Sequence, residues 1–192
     1  VLTGGPGGGK TTTAELLRRE LGERFVIVPE TATILFAGGF PRGGDGHAIA
    51  CAQRAIYHVQ RNLEDLQSYR YRDRILLCDR GTIDGAVYWP GKPEGFFYHL
   101  KTSIQHELER YDAVLYFESA AIGGIAIEGG NPCRVESISE AAKIDLALRQ
   151  LWSKHPAFHF IPHNSSFLEK IRIAFEAMKG IIATLDQSPG SP

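Results

Sequence analysis

The sequence predicts an α/β fold of three layers, α/β/α, built on a five-stranded parallel sheet, and three observations predict it. Short apolar runs alternate with longer amphipathic segments, the pattern of strands buried on both faces between covering helices. A glycine-rich step, Gly4-Gly5-Pro6-Gly7-Gly8-Gly9, stands between the first apolar stump and the first helical segment. The length of 192 residues, with 43% hydrophobic and 22% charged residues, suits one globular domain.

Taken in order, Val1-Leu2-Thr3 reads as the end of a first strand, expected to be completed by residues upstream of Val1. Residues 10–21 form a helix with Leu16, Leu17 and Leu21 on one side, and residues 25–29 a short, β-branched second strand. Residues 48–71 have the length and polar spacing of a long helix. Ile75-Leu76-Leu77-Cys78 is a third strand that stops at Asp79, followed by a helix over 96–110 and a fourth strand over 113–117. Ser137-Ile138-Ser139-Glu140 is a capping box opening a helix over 137–152. Residues 158–162 make the fifth strand and 166–184 a closing amphipathic helix. The domain is thus expected to span 1–184, with a lid region over about 122–155 and a disordered tail over 185–192. Two glycine-rich stretches, residues 37–46 and 122–132, follow the second and fourth strands, where ligands of open α/β sheets bind.

Charge and cysteine content narrow the function classes. With 21 basic and 22 acidic residues the net charge is -1, which disfavours a charge-driven nucleic-acid binder. Cys51, Cys78 and Cys133 are odd in number and widely spaced, so they suit a reducing compartment rather than a disulfide framework or a metal knuckle. No apolar run is long enough to span a bilayer. A cytoplasmic location is expected, with no membrane partner and a homodimer left open.

Residues 4–11, Gly-Gly-Pro-Gly-Gly-Gly-Lys-Thr, match G-x-x-x-x-G-K-[ST] at every required position. Such a backbone can curl around a phosphate with its N–H groups inward, at the positive end of the following helix. Gly5, Gly7, Gly8, Gly9, Lys10, Thr11 and Thr12 are the candidate contacts. Lys10 would reach the β- and γ-phosphates, Thr11 would ligate Mg²⁺, and Thr12 would touch the α-phosphate. Asp79, ending the third strand, is the candidate acidic partner of that metal. Arg80 stands where many motor ATPases have a glutamate, which weakens a motor reading and makes Arg80 a candidate to balance phosphate charge or anchor a substrate. Glu30 closes Val26-Ile27-Val28-Pro29-Glu30, and at that strand end its carboxylate can take a proton from an acceptor hydroxyl. Arg134, after Asn131-Pro132-Cys133, is a candidate lid arginine over the phosphates.

With these residues the chain resembles the P-loop kinase-like, AAA-type ATP-binding family that includes nicotinamide-riboside-kinase-like domains and the nucleotide-binding domain of TRPL translocation defect proteins. It is more distantly similar to the deoxynucleoside kinases. The resemblance covers residues 4–179 and implies a P-loop NTPase fold of the nucleoside/nucleotide kinase kind. In deoxynucleoside kinases a Pro-Glu step after the second strand carries the general base, which Pro29-Glu30 matches. Asp79-Arg80 matches their acidic-Arg pair, with aspartate for glutamate. Asp79-Arg80-Gly81 followed by Asp84 and Tyr88 matches the closer members. The family's long helix bears a glutamine facing the base, for which Gln53 and Gln60 both qualify. The base-side contacts would come from Pro162-His163-Asn164-Ser165, largely through backbone. No Asn-Lys-x-Asp or Asp-x-x-Gly signature of regulatory GTPases is present.

Two functions follow. The first is a Mg²⁺-dependent kinase that moves the γ-phosphoryl of ATP to a hydroxyl of an unidentified nucleoside-like acceptor. Lys10, Glu30, Arg80 and Arg134 would carry the chemistry, and Glu30, Gln53, Arg80 and Asp84 would hold the acceptor. Phe36, Phe40, Tyr57, Tyr88 and Trp89 are available to stack a flat ring. The alternative is a regulatory switch or NTPase that binds ATP or GTP without a small-molecule acceptor. It shares every nucleotide-side residue and lacks only the second pocket.

Overall fold

The structure, a computed structural model, describes residues 1–124 and 137–187. Five short strands form, all paired in parallel: β1 (Leu2–Thr3), β2 (Phe25–Val28), β3 (Ile75–Cys78), β4 (Val114–Phe117) and β5 (Phe158–Ile161). They are arranged as a three-stranded sheet in the order β1-β4-β5 and a two-stranded sheet of β2 and β3. The single five-stranded sheet expected from sequence is therefore corrected to three strands plus two. β1 pairs in register with β4 and meets the end of β3 through one parallel bridge, Leu2 to Asp79. There the Arg80 N–H donates to the Leu2 carbonyl at 2.9 Å, and the chain turns away with a positive φ of 78° at Arg80.

Seven α-helices cover the strands: α1 (Lys10–Leu21), α2 (Thr31–Ala37), α3 (Gly46–Arg70), α4 (Pro93–Leu100), α5 (Ile104–Leu108), α6 (Ile138–Trp152) and α7 (Phe167–Gln187), counted among the described residues. α1 and α7 pack one face of the strands, burying Ala14, Leu17, Ala174 and Met178 against Leu2, Leu77, Leu115 and Phe117. On the other side Val28, Cys78, Ile83, Val114, Tyr116, Leu148 and Trp152 form a second core, beside an aromatic cluster of Tyr57, Trp89 and Phe96. Each fully buried large aliphatic or aromatic side chain contributes roughly 1.5–3 kcal/mol to this packing. Because both faces are covered, β4 is buried at every position, which is why its sequence is a continuous apolar run.

The structure amends several expected elements. α2 occupies residues expected to lead into a loop. The helix expected over 96–110 is two helices, opened by Pro93 at the first turn and broken where Lys101 takes a left-handed φ of 54° and Ser103 caps α5. The capping box at Ser137 forms as expected, with Glu140 and Ser137 bonding reciprocally. Ala141, Asp145, Leu148 and Trp152 of α6 are buried, so the helical half of the expected lid region belongs to the body of the domain. α7 runs on to Gln187, so the first three residues assigned to the tail, 185–187, are helical; the rest of it lies outside the described residues. No helix among the described residues is long and apolar enough to cross a membrane.

Candidate functional site

The glycine-rich loop leaves β1 and runs into the first turn of α1. Gly4 has φ +132°, and a Cβ there would lie 2.0 Å from the Phe117 carbonyl oxygen, so no other residue fits. Gly9, in the left-handed region at φ +86°, caps α1 and turns the chain into the helix. Lys10 is 3% exposed, and its Nζ donates to the carbonyls of Gly4 (2.9 Å) and Gly5 (2.8 Å). The loop's first half is held from outside as well. Asp145 Oδ1 accepts from the N–H groups of Gly5 (2.9 Å) and Ser119 (2.8 Å), and the Ser119 hydroxyl donates to the Pro6 carbonyl at 2.5 Å. Burial raises the Asp145 carboxyl, and those two N–H bonds oppose the rise. Sequence reasoning missed both residues, because an aspartate on an amphipathic helix carries no local signal for a contact across 140 residues.

At the end of β3, Asp79 is 3% exposed and its Oδ2 accepts from the Thr11 hydroxyl at 2.6 Å. Its other oxygen, Oδ1, is buried without a hydrogen-bond partner. Burial pushes this carboxyl up, the Thr11 bond pulls it down, and the nearby Glu30 charge pushes it up again. A buried, under-satisfied carboxylate beside a threonine hydroxyl at the phosphate loop is a donor set that fits Mg²⁺. Asp79→Asn is therefore expected to raise the melting temperature of the nucleotide-free protein while weakening Mg²⁺-dependent nucleotide binding by at least about tenfold. Thermal scans with and without Mg²⁺-nucleotide test this; a variant less stable than wild type in both conditions would assign Asp79 a structural part only.

Glu30 caps the entrance to α2 and is bound to Arg80. Arg80 Nε donates to Glu30 Oε1 at 2.5 Å, and its Nη1 reaches Asp84 Oδ2 at 3.2 Å and the Gly4 carbonyl at 3.5 Å. Burial alone would raise the Glu30 carboxyl, but Arg80, the Thr33 hydroxyl and Lys10 outweigh it and bring it down to about 2. Burial opposes the Arg80 charge, yet Tyr88, Glu30 and Asp84 hold its guanidinium well above its usual range. Asp84 is fully engaged: the Thr3 hydroxyl and the Trp152 indole N–H donate to Oδ1 at 2.8 and 2.6 Å, and Arg80 takes Oδ2. It supports Arg80 and also lines the larger of two neighbouring cavities.

The two cavities meet at Glu30. One, of about 440 Å³, is lined by Gly9, Lys10, Thr11, Thr12 and Asp79 and reaches Glu30. The other, of about 580 Å³, runs from Glu30 and Arg80 between α2 and α3 to Gln53, Tyr88 and Phe96. Its walls are largely apolar, with Phe36 and Tyr57 among them; Trp89 is packed against Phe96 and His99, and Phe40 lies outside the lining. Gln60 is tied into hydrogen bonds with Thr31, Glu64 and Arg80, whereas Gln53 makes none of these and faces the cleft. On the opposite side of the phosphate loop the His163 N–H donates to Glu118 and the Asn164 side chain accepts from Ser166. Arg134 lies outside the described residues.

A glycine loop on a helix N-terminus, a buried lysine folded into it and a Thr-Asp pair at the next strand end define a P-loop nucleotide-binding domain. The family model described as AAA domain matches residues 1–169, and the chain belongs to that family. No curated protein matches the chain.

Proposed function

We propose that this chain is a Mg²⁺-dependent phosphotransferase that moves the γ-phosphoryl group of ATP to a hydroxyl of a nucleoside-like acceptor. The observation that carries the reading is the position of Glu30, which lines both the phosphate-side cavity and the larger apolar cleft. A nucleotide switch needs the first cavity and has no use for the second. In the reaction the acceptor oxygen bonds to the γ-phosphorus, the bond from that phosphorus to the bridging oxygen breaks, ADP leaves, and the acceptor proton passes to the Glu30 carboxylate. Thr11 and Asp79 would hold Mg²⁺, which supplies charge neutralisation of the phosphate oxygens.

Glu30 bound to Arg80 is a poor base, because a carboxyl near 2 holds a proton weakly. Arrival of the triphosphate gives Arg80 competing oxygens. As Arg80 turns toward them Glu30 loses its strongest counter-charge and becomes a better base at the moment the acceptor hydroxyl is in place. Gln53 and the aromatic walls suit a flat ring carrying hydrogen-bonding edges, and Lys10, Arg80 and Arg134 balance the transferring charge.

The test is transfer from MgATP to a panel of nucleosides and related ring-bearing alcohols. At least one acceptor is expected to raise turnover above basal hydrolysis, and Glu30→Gln is expected to lower that transfer by about 10²–10⁴-fold while nucleotide affinity changes little. If no acceptor stimulates turnover and Glu30→Gln leaves basal hydrolysis unchanged, the alternative of a switch or NTPase binding ATP or GTP replaces the kinase reading.

A further inference from the structure

Gln60 sits in the middle of α3, 2% exposed. Its amide has only one workable orientation. The Glu64 carboxylate and the Arg80 carbonyl can only accept, so Nε2 donates to both, at 2.9 and 3.2 Å. Oε1 is left to accept from the Thr31 hydroxyl at 2.7 Å. Thr31, 1% exposed, is the residue after Glu30 and the first of α2. One side chain therefore ties the main chain of Arg80 to the neighbour of Glu30, the two residues that share the 2.5 Å ion pair.

The strut is itself anchored. Glu64 accepts from Arg110 at 2.8 Å and from the Tyr111 hydroxyl at 2.9 Å, and that hydroxyl accepts from the Thr82 N–H at 2.8 Å. The segment from Arg80 to Thr82 is thus pinned on both sides of Gly81 by groups that reach it from α3 and from the connection between α5 and β4. The pinning matters because Arg80 is one of two non-glycine residues with positive φ among the described residues, a conformation kept only where its surroundings over-determine it.

We infer that Gln60 is a positioning residue, which acts through Thr31 and the Arg80 carbonyl to fix the backbone positions from which Glu30 and Arg80 reach each other and the reacting groups. The consequence for catalysis rests on the phosphotransferase reading; the effect on the ion pair does not. The first readout therefore needs no acceptor. In the nucleotide-free protein the Arg80 Nε–H, assigned by its loss in Arg80→Lys, is expected to exchange slowly with solvent because it is buried against Glu30. Gln60→Met and Thr31→Val are expected to speed that exchange by about tenfold or more, and Thr31→Ser, which keeps the hydroxyl, to restore slow exchange. Where Gln60→Met does not fold, the Thr31 pair of variants carries the test.

The second readout is MgATP turnover. Gln60→Met is expected to lower kcat about tenfold with KM for MgATP within about twofold, the split expected of misplaced reacting groups rather than lost binding. Unchanged Arg80 exchange in Gln60→Met and Thr31→Val would overturn the inference, as would a loss confined to KM. Altered exchange in a protein that phosphorylates no acceptor would support the positioning role and overturn the kinase reading alone.

Discussion

Lys10→Ala is expected to abolish measurable nucleotide binding and to lower any MgATP turnover by about 10²–10³-fold or more. The Lys10 ammonium occupies the interior of its own loop, donating to the Gly4 and Gly5 carbonyls. The same ammonium, on a flexible stem, can exchange those carbonyls for phosphate oxygens with little movement of the backbone. Alanine removes the counter-charge from the triphosphate and takes the Lys10 hydrogen bond from the Gly4 and Gly5 carbonyls, which keep only the longer contacts to Arg80 (3.5 Å) and the Gly8 N–H (3.3 Å). Lys10→Arg is the informative companion, since it keeps the charge but replaces a compact ammonium by a planar fork too large for the loop interior. Calorimetric titration with MgATP and a coupled turnover assay measure both. Affinity within threefold of wild type in Lys10→Ala would remove the phosphate-loop reading and, with it, both the kinase and the switch.

The parts of this molecule that could be read from sequence are those whose cause is local. β2, β3 and β4 announce themselves because strands covered on both faces need apolar residues at successive positions. The phosphate loop is legible for a related reason: its glycines are demanded by backbone geometry within eight consecutive residues. Glu30 and Asp79 were accessible because strand ends in a parallel sheet share one edge. What escaped depended on distance or brevity. α2 is one short helix of seven residues, too short for a periodicity, with two threonines and an isoleucine that lower its helix propensity. The division of the strands into three and two rests on β1 meeting β3 through the Leu2–Asp79 bridge instead of a full ladder, which no hydrophobic pattern reports. Asp145, Ser119 and Gln60 contact the site only because α6, β4 and α3 bring them to it. Gln53 and Gln60 both line the cleft and differ in their partners: Thr31, Glu64 and Arg80 engage the Gln60 amide.

Arg80 is the residue at which function and stability are most tightly joined, and its removal is the second large expected effect. Arg80 and its two carboxylate partners are mostly buried, with side-chain exposures of 13% for Arg80, 15% for Glu30 and 6% for Asp84. Arg80→Met keeps much of the volume and removes the charge, stranding Glu30 without its main counter-ion. Breaking a buried pair from one side costs about 3–5 kcal/mol, and transfer to an acceptor is expected to fall about 10²–10³-fold as the charge on the phosphoryl oxygens goes unbalanced. The pH dependence separates this electrostatic account from a loss of packing. Glu30 titrates at about 2 in the folded protein against an ordinary value of 4.5. A depressed carboxyl contributes stability that is complete above the unfolded value and is lost as pH falls through the folded one. The gap in unfolding free energy between wild type and Arg80→Met is therefore expected to be largest near neutral pH and to narrow as pH falls, since wild type loses the Glu30 contribution in acid while protonation relieves the stranded Glu30 of the variant. Urea unfolding of both proteins between pH 7 and pH 3 reads the gap directly. A gap of the same size at pH 3 as at pH 7 would mean that Arg80 stabilises the fold by packing alone, and that Glu30 is not the group it holds ionised.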